Sequence, residues 1–244
     1  MNPTLELQAF IDQHLAVVEP LSRETALANW EMQTTSSEAI KDKVTELNTR
    51  FARIYANTDD YAFLKNLAVD EIDSTVLARQ HRILLNAYLE NQIPTELLDE
   101  TIALMVEIED SFNVYRGTIC GEPVSDNAIE KILDESRDVT LRKQAWEASK
   151  QVGQAVSERV LELIRLRNRA ATSLGFENYY VMSLELQELT EERLFQQLDD
   201  LAAKSEPLWN SYRDELDSRL AERFETTPDA IRPWHHANRF FQSP

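Results

Sequence analysis

Histidine and cysteine are the side chains best suited to bind a metal or act as base or nucleophile near neutral pH. The chain carries four histidines, His14, His81, His235 and His236, and one cysteine, Cys120. No two histidines are spaced i, i+4, so there is no H-E-x-x-H zinc helix in this sequence. No Glu-x-x-His occurs either, which removes the carboxylate-bridged di-iron bundle. His235 and His236 are adjacent, and adjacent side chains diverge, so they read as packing or hydrogen-bonding residues and not as a chelate. His14 and His81 fall on helical patterns and read as helix-surface or core residues. Cys120 lies in Gly117-Thr-Ile-Cys-Gly-Glu-Pro, which reads as an inter-helix loop with no base for the thiol. A single cysteine forms no internal disulfide and fits a reducing compartment.

The other chemically able groups are charged. There are 43 acidic and 25 basic residues, a formal net charge of −18. That balance makes a self-repelling surface and argues against nucleic acid or an anionic membrane as partner. On so acidic a chain a pair of carboxylates singles out no site. Arg159, Arg165, Arg167 and Arg169 form the one basic cluster, with salt bridging as the plain reading and anion binding as the functional one. There is no glycine-rich phosphate loop and no nucleophile elbow. The residues by themselves nominate no catalytic group and no metal ligand, only a helical domain.

The element that must position everything else is the stretch Thr140–Tyr180. Leu141, Ala145, Ala148, Val152, Val156, Val160, Leu163, Leu166, Ala170 and Leu174 recur in steps of three and four, one face of a helix. Gly175 follows as a stop signal. The spacing predicts a helix of roughly 34 residues, about 50 Å long, which other helices must cover. Few glycines and prolines and a helical pattern nearly throughout predict an all-α, multi-helix chain. In order, a first helix is capped by Thr4, with Leu5, Phe10, Ile11, Leu15 and Val18 inward, and Pro20 restarts the chain. Later starts fall at a serine before Ile40, at Asn57–Asp60, at Asp73 or Ser74, near Pro94, at Ser125, at Asp138 or Thr140, and at Thr190. Gly117 ends the helix begun near Pro94, and Pro207 should kink the last long helix. Residues 1–244 read as one helical portion, with sub-bundles 1–117 and 125–244 possible. The acidic N-terminus and the lack of a long apolar run predict neither a secretory signal nor a membrane span, and a cytoplasmic setting.

Four stretches carry a resemblance to a known family. Trp146-Glu147, Gly153, Leu166-Arg-Asn-Arg-Ala-Ala171 and Gly175-Phe-Glu-Asn-Tyr-Tyr180 resemble the angiotensin-converting-enzyme-like peptidyl-dipeptidases and their bacterial relatives, the oligoendopeptidase F and thimet oligopeptidase group. Leu27-Ala-Asn-Trp30 followed by Gln33-Thr-Thr35 resembles a break between the family's first helices. Thr190–Leu220 is similar to the helix before the active channel. Arg232-Pro-Trp-His-His236 with Phe240-Phe-Gln242 is similar to the segment that enters it.

The resemblance implies a zinc metallopeptidase: an all-helical fold split by a channel that admits short peptides, with zinc polarising the scissile carbonyl and activating water. It also implies that Gln242 binds the terminal carboxylate of a substrate, a role suited to a side-chain amide donor. No catalytic residue and no metal ligand carries over, because the zinc helix is not in the chain. The expectation is therefore the amino-terminal half of such an enzyme, inactive and without bound zinc by itself, whose partners are short peptides and a carboxy-terminal catalytic half. Where some members place an anion-binding arginine, this chain reads Tyr180-Val-Met-Ser183, so chloride activation is not expected. The rival expectation is a non-catalytic helical peptide-binding or scaffold protein derived from the same fold.

Overall fold

The computed structural model of the chain describes residues 2–35 and 37–241. Its first helix, α1, spans Pro3–Thr35. Asn2 Oδ1 accepts the Thr4 N–H at 2.9 Å, and Pro3 takes the first helical position, where its missing N–H costs nothing. This corrects two expectations: Asn2 and not Thr4 is the cap, and the helix does not restart at Pro20. An interior proline forfeits one helical bond and costs roughly 3 kcal/mol. Leu7, Ile11, His14, Leu21, Ala28 and Met32, however, form one buried stripe on both sides of Pro20. Keeping that stripe on one face is what carries the helix through. Leu5 and Leu15, expected inward, are exposed, and Leu7 and His14 hold the inner positions.

The caps then set most starts. α2 (Glu38–Tyr55) begins where Ser37 accepts the Ile40 N–H, and α3 (Thr58–Asn66) where Asn57 accepts from Asp59 and Asp60. α4 (Thr75–Glu90) is capped by Ser74, and α5 spans Thr95–Val114. α6 (Asp126–Glu135) is capped by Ser125. α7 spans Val139–Ser173, with Asp138 Oδ1 accepting from Thr140 at 2.9 Å and Leu141 at 3.2 Å. It ends in a Schellman motif: Gly175 has φ 91°, its N–H donates to the Thr172 carbonyl, and Phe176 N–H donates to that of Ala171. α8 (Tyr179–Leu186) and α9 (Glu191–Arg223) follow. Pro207 lies inside α9 as Pro20 lies inside α1.

The stretch after α5 departs from the expected loop. β1 (Gly117–Ile119) pairs antiparallel with β2 (Glu122–Val124), Gly117 opposite Val124. Cys120 and Gly121 make the turn with φ 53° and 88°, the double positive φ of a two-residue hairpin turn. Gly117 therefore opens a strand and does not end α5. It has a packing task as well, since a Cβ there would lie 2.3 Å from the Ala148 carbonyl oxygen on α7.

Two compact units share the chain: Met1–Asn113 with Arg159–Glu191, and Val114–Glu158 with Glu192–Pro244. The boundary at 158/159 falls inside α7. In the first unit, Leu21, Ala28 and Met32 of α1 pack on Ile40, Val44 and Leu47 of α2 and Val106 of α5. Leu7 and Ile11 pack with Leu64 and Tyr88 in a second cluster, and Leu163 and Leu166 of α7 meet Leu104 of α5 in a third. In the second unit, Ile129 and Leu133 of α6 pack on Ala145 and Ala148 of α7. Every position of the long apolar stripe of α7 is buried or half-buried.

Candidate functional site

The segment after α9 belongs to the second unit and holds the last residues to which the resemblance pointed. Two short 3-10 turns, Pro228–Ala230 and Pro233–His235, lead to Phe241. One side chain fixes this irregular backbone. Arg142 of α7 is fully buried and donates to the carbonyls of Trp234 (2.8 Å), Ser136 (2.9 Å), His235 (3.1 Å) and His236 (3.1 Å), with a longer contact to Ile132 (3.5 Å). Its guanidinium also lies 4.8 Å from the centroid of the Phe224 ring. Burial first, then the charge of Arg223, lowers its pKa to about 10, with Asp134 opposing, so it stays protonated at neutral pH. A planar fork of donors suits several carbonyls at once, which explains arginine at this place.

The neighbouring contacts extend this clamp. Arg232 N–H donates to His235 Nδ1 at 2.8 Å, which requires that nitrogen to be unprotonated. Arg239 pairs with Asp126 at 2.6 Å and Glu130 at 3.7 Å, and Lys150 Nζ donates to the Arg239 carbonyl at 3.3 Å. His236 meets the Phe241 ring edge-on at 4.9 Å. Burial lowers the pKa of both His235 and His236; Arg142 adds to each effect, and Asp217 opposes it at His236. Against this segment lies a cavity of ≈ 570 Å³, lined among others by Trp209, Tyr212, Asp217, Ile231, His236 and Phe241. Gln242, the expected carboxylate binder, lies outside the described residues.

The first unit holds its own cavity, of ≈ 670 Å³. Residues of α1, α2, α4, α5, α7 and α8 line it, with Phe51, Ile102, Met105 and Met182 giving it an apolar body. Glu90 and Arg167 are the charged residues among its described lining. Glu90 is exposed by surface area, yet the surrounding walls withdraw enough water to push its carboxyl pKa up, with Arg167 pulling it down. Arg167 packs over the Tyr179 ring, 5.0 Å from its centroid, and reaches Met105 Sδ at 3.4 Å. A second, smaller cavity of ≈ 420 Å³ borders Glu90 and the C-terminal end of α8. There Glu188, itself at φ 62°, is ion-paired with both Arg79 and Arg82.

The sequence-nominated residues are spread between these places. His14 hydrogen-bonds Tyr88 Oη at 3.2 Å and Tyr55 Oη at 3.3 Å inside the first unit, and His81 Nε2 donates to the Leu64 carbonyl at 2.7 Å. Both histidines are buried structural groups. Of the arginine series, Arg159 pairs with Glu107 at 2.9 Å and Arg169 with Glu100 at 3.7 Å, the salt-bridging reading. Arg167 of the series lines the first-unit cavity. Arg142 and Glu90 were not legible as site residues, because nothing local in the sequence marks either one. Cys120 sits exposed at the hairpin turn.

Among the described residues, no three His, Cys, Asp or Glu side chains come together in a way that could hold a metal. No helix is long and apolar enough to cross a membrane among the described residues.

The cavities of this all-α chain are built between its helices, where small-ligand sites of helical proteins are commonly found. Its lineage is more definite. Residues 2–230 match the family model of angiotensin-converting enzyme, and the chain belongs to that family of peptidases. The expectations of converting-enzyme kinship and of an all-α fold are thereby borne out. The family is in general zinc-dependent; among the described residues His14, His81 and His235 are engaged with tyrosines or backbone groups, His236 packs on Phe241, and no three His, Cys, Asp or Glu side chains form the set a zinc ion needs.

Proposed function

We propose that this chain is the amino-terminal helical portion of a zinc-dependent metallopeptidase that hydrolyses short peptides, of the peptidyl-dipeptidase or oligopeptidase type. The observation that carries the proposal is the family match over residues 2–230. On this reading the zinc ligands and the general base come from chain beyond these 244 residues, because the sequence contains no H-E-x-x-H. The isolated chain then neither holds zinc nor turns over peptide. Zinc, where it is bound, would polarise the scissile carbonyl and activate water. This chain's own work is positioning. Arg142 pins the backbone of Trp234, His235 and His236 and so the segment that leads to Gln242. The Gln242 amide donates to the free carboxylate of the substrate. The acidic composition and single cysteine support a cytoplasmic setting.

The test is the gene product isolated from its source cells, measured for intact mass, zinc content and cleavage of short peptides, beside the 244-residue chain. The expected result is a zinc-containing peptidase much heavier than 28.2 kDa, with neither zinc nor turnover in the 244-residue chain. In the larger protein, Gln242→Ala should raise KM for peptides with a free carboxyl end and leave amidated peptides unaffected. Zinc-dependent cleavage by the 244-residue chain would overturn the assignment of the catalytic groups elsewhere. A native product of 28.2 kDa without peptidase activity would overturn the whole reading. It would leave the alternative, a non-catalytic peptide-binding or scaffold protein, which the ≈ 670 Å³ cavity of the first unit favours.

A further inference from the structure

The first-unit cavity contains an unusual combination: an apolar body and two unpaired opposite charges. Its described charged lining residues are Glu90, at the end of α4, and Arg167, near the end of α7. They act on each other electrostatically but do not form an ion pair. Arg167 is half-buried, and its only described hydrogen bond goes to a thioether sulfur, Met105 Sδ, at 3.4 Å. A thioether is a weak acceptor for a guanidinium. The Tyr179 face and Met105 hold the fork in place without satisfying it. Arg167 lines the cavity with most of its donors free of described protein acceptors, and a carboxylate there would be taken up by charge-assisted, bidentate bonds.

The polar side chains around it are also one-sided. Asn29 Nδ2 donates to the Thr25 carbonyl and Asn91 Nδ2 to the Ala87 carbonyl, each at 2.9 Å. Both spend their donors on their own helices, and each keeps Oδ1 as an acceptor. Glu90 is a further acceptor when ionised. The cavity thus offers one strong donor cluster, several acceptors and an apolar body of Phe51, Leu98, Ile102 and Met182. Its volume of ≈ 670 Å³ is within the range of small-ligand sites, roughly 300–1,000 Å³, and too large for a free amino acid to fill.

We propose that the cavity lined by Glu90 and Arg167 is a binding site for a short zwitterionic peptide of two or three apolar residues, its carboxylate on Arg167 and its ammonium on Glu90. The pairing of charges selects this occupant over a fatty acid, which would leave Glu90 facing an apolar chain. The inference stands apart from the peptidase reading: its residues belong to the first unit, and its readout is binding without turnover.

The experiment is calorimetric titration of the 244-residue chain with the dipeptide leucyl-phenylalanine, its N-acetyl form, its C-terminal amide, and decanoate. The free dipeptide should bind, and blocking either end should weaken binding roughly tenfold or more, the scale of a charge-assisted bond. Arg167→Gln should abolish the penalty for the amide, and Glu90→Gln the penalty for the acetyl group, each leaving the other penalty in place. If a variant melts early, the blocked ligands against the unaltered chain still decide. No binding of the free dipeptide, or decanoate binding as tightly, overturns the proposal. Binding that both variants leave unchanged also overturns it and puts the peptide elsewhere, without touching the assignment of the chain as part of a peptidase.

Discussion

The Arg142 guanidinium donates through Nε to the Trp234 carbonyl at 2.8 Å, across 92 residues of chain. A side chain with 0% exposure here directs all its described hydrogen bonds to backbone carbonyls, with no carboxylate among its described partners. Removing it would leave buried carbonyls without donors, each costing about 1–3 kcal/mol. Arg142→Ala should therefore destabilise the second unit by about 3 kcal/mol or more, read by urea unfolding. Arg142→Lys should recover little of this, because an ammonium cannot serve carbonyls arranged around a planar fork. A loss below about 1 kcal/mol for the alanine variant would contradict the hub assignment.

Two glycines should respond in opposite directions. A Cβ at Gly117 would sit 2.3 Å from the Ala148 carbonyl oxygen, a rigid backbone atom, so Gly117→Ala should cost about 1–3 kcal/mol through forced separation of β1 from α7. Gly153 lies inside α7 with open space around the added atom. Gly153→Ala should stabilise by about 0.5–1 kcal/mol by removing chain entropy from the unfolded state. Melting curves of the two variants check both signs.

Mild acid should weaken the fold. His14, His235 and His236 all have pKa values lowered by burial from the ordinary 6.5. Between their folded values and 6.5 the unfolded chain binds more protons than the folded one. Their contribution is complete above that ordinary value and is lost as pH falls through the window below it. Protonation at His235 would also evict the Arg232 N–H from Nδ1. Glu90 works with the opposite sign: its pKa is raised, so its contribution is present below the ordinary carboxylate value and fades as pH rises through the folded one. The melting temperature should fall between about pH 7 and pH 5.5, with a shallower slope in the double variant His14→Gln/His235→Gln. Equal slopes in the variant and the unaltered chain would count against the histidines as cause.

The first two-thirds of α9 bear apolar side chains that remain open to solvent. Leu201 is 63% exposed and Leu208 77%, with Phe195 and Trp209 at 50% and 52%. Such clustering favours association. Leu201→Glu with Leu208→Glu should reduce hydrophobic-dye binding and concentration-dependent association in sedimentation, while changing unfolding stability by no more than about 0.5 kcal/mol per site. A strictly monomeric unaltered chain that binds no dye would refute this.

Local patterns in the sequence carried much of the fold. The stripe from Leu141 to Ala170 is the inward face of α7, and Ser37, Asn57, Ser74, Ser125 and Asp138 cap the helices they precede. Capping and periodicity act over a few residues, so those residues suffice to read them. The continuity of α1 through Pro20 was not readable that way, because it depends on partners for Leu7 and Leu21 that α2 and more distant elements provide. The hairpin at Cys120 was hidden because its turn pairs glycine with a cysteine, not with the asparagine or aspartate that usually signals it.

The sequence by itself determined the helical class, the long organising helix and, through its motifs, the family. Only the tertiary structure decided which charged groups matter. Arg142 lies between Leu141 and Lys143 and looks like any helix arginine until carbonyls from Ser136 and from Trp234 to His236 close around it. Arg167 is one of four clustered arginines until Glu107 and Glu100 take two of its neighbours and leave it over Tyr179, in the same cavity as Glu90. Burial and pairing are properties of the surroundings, and a side chain's surroundings are assembled from segments far apart in the chain.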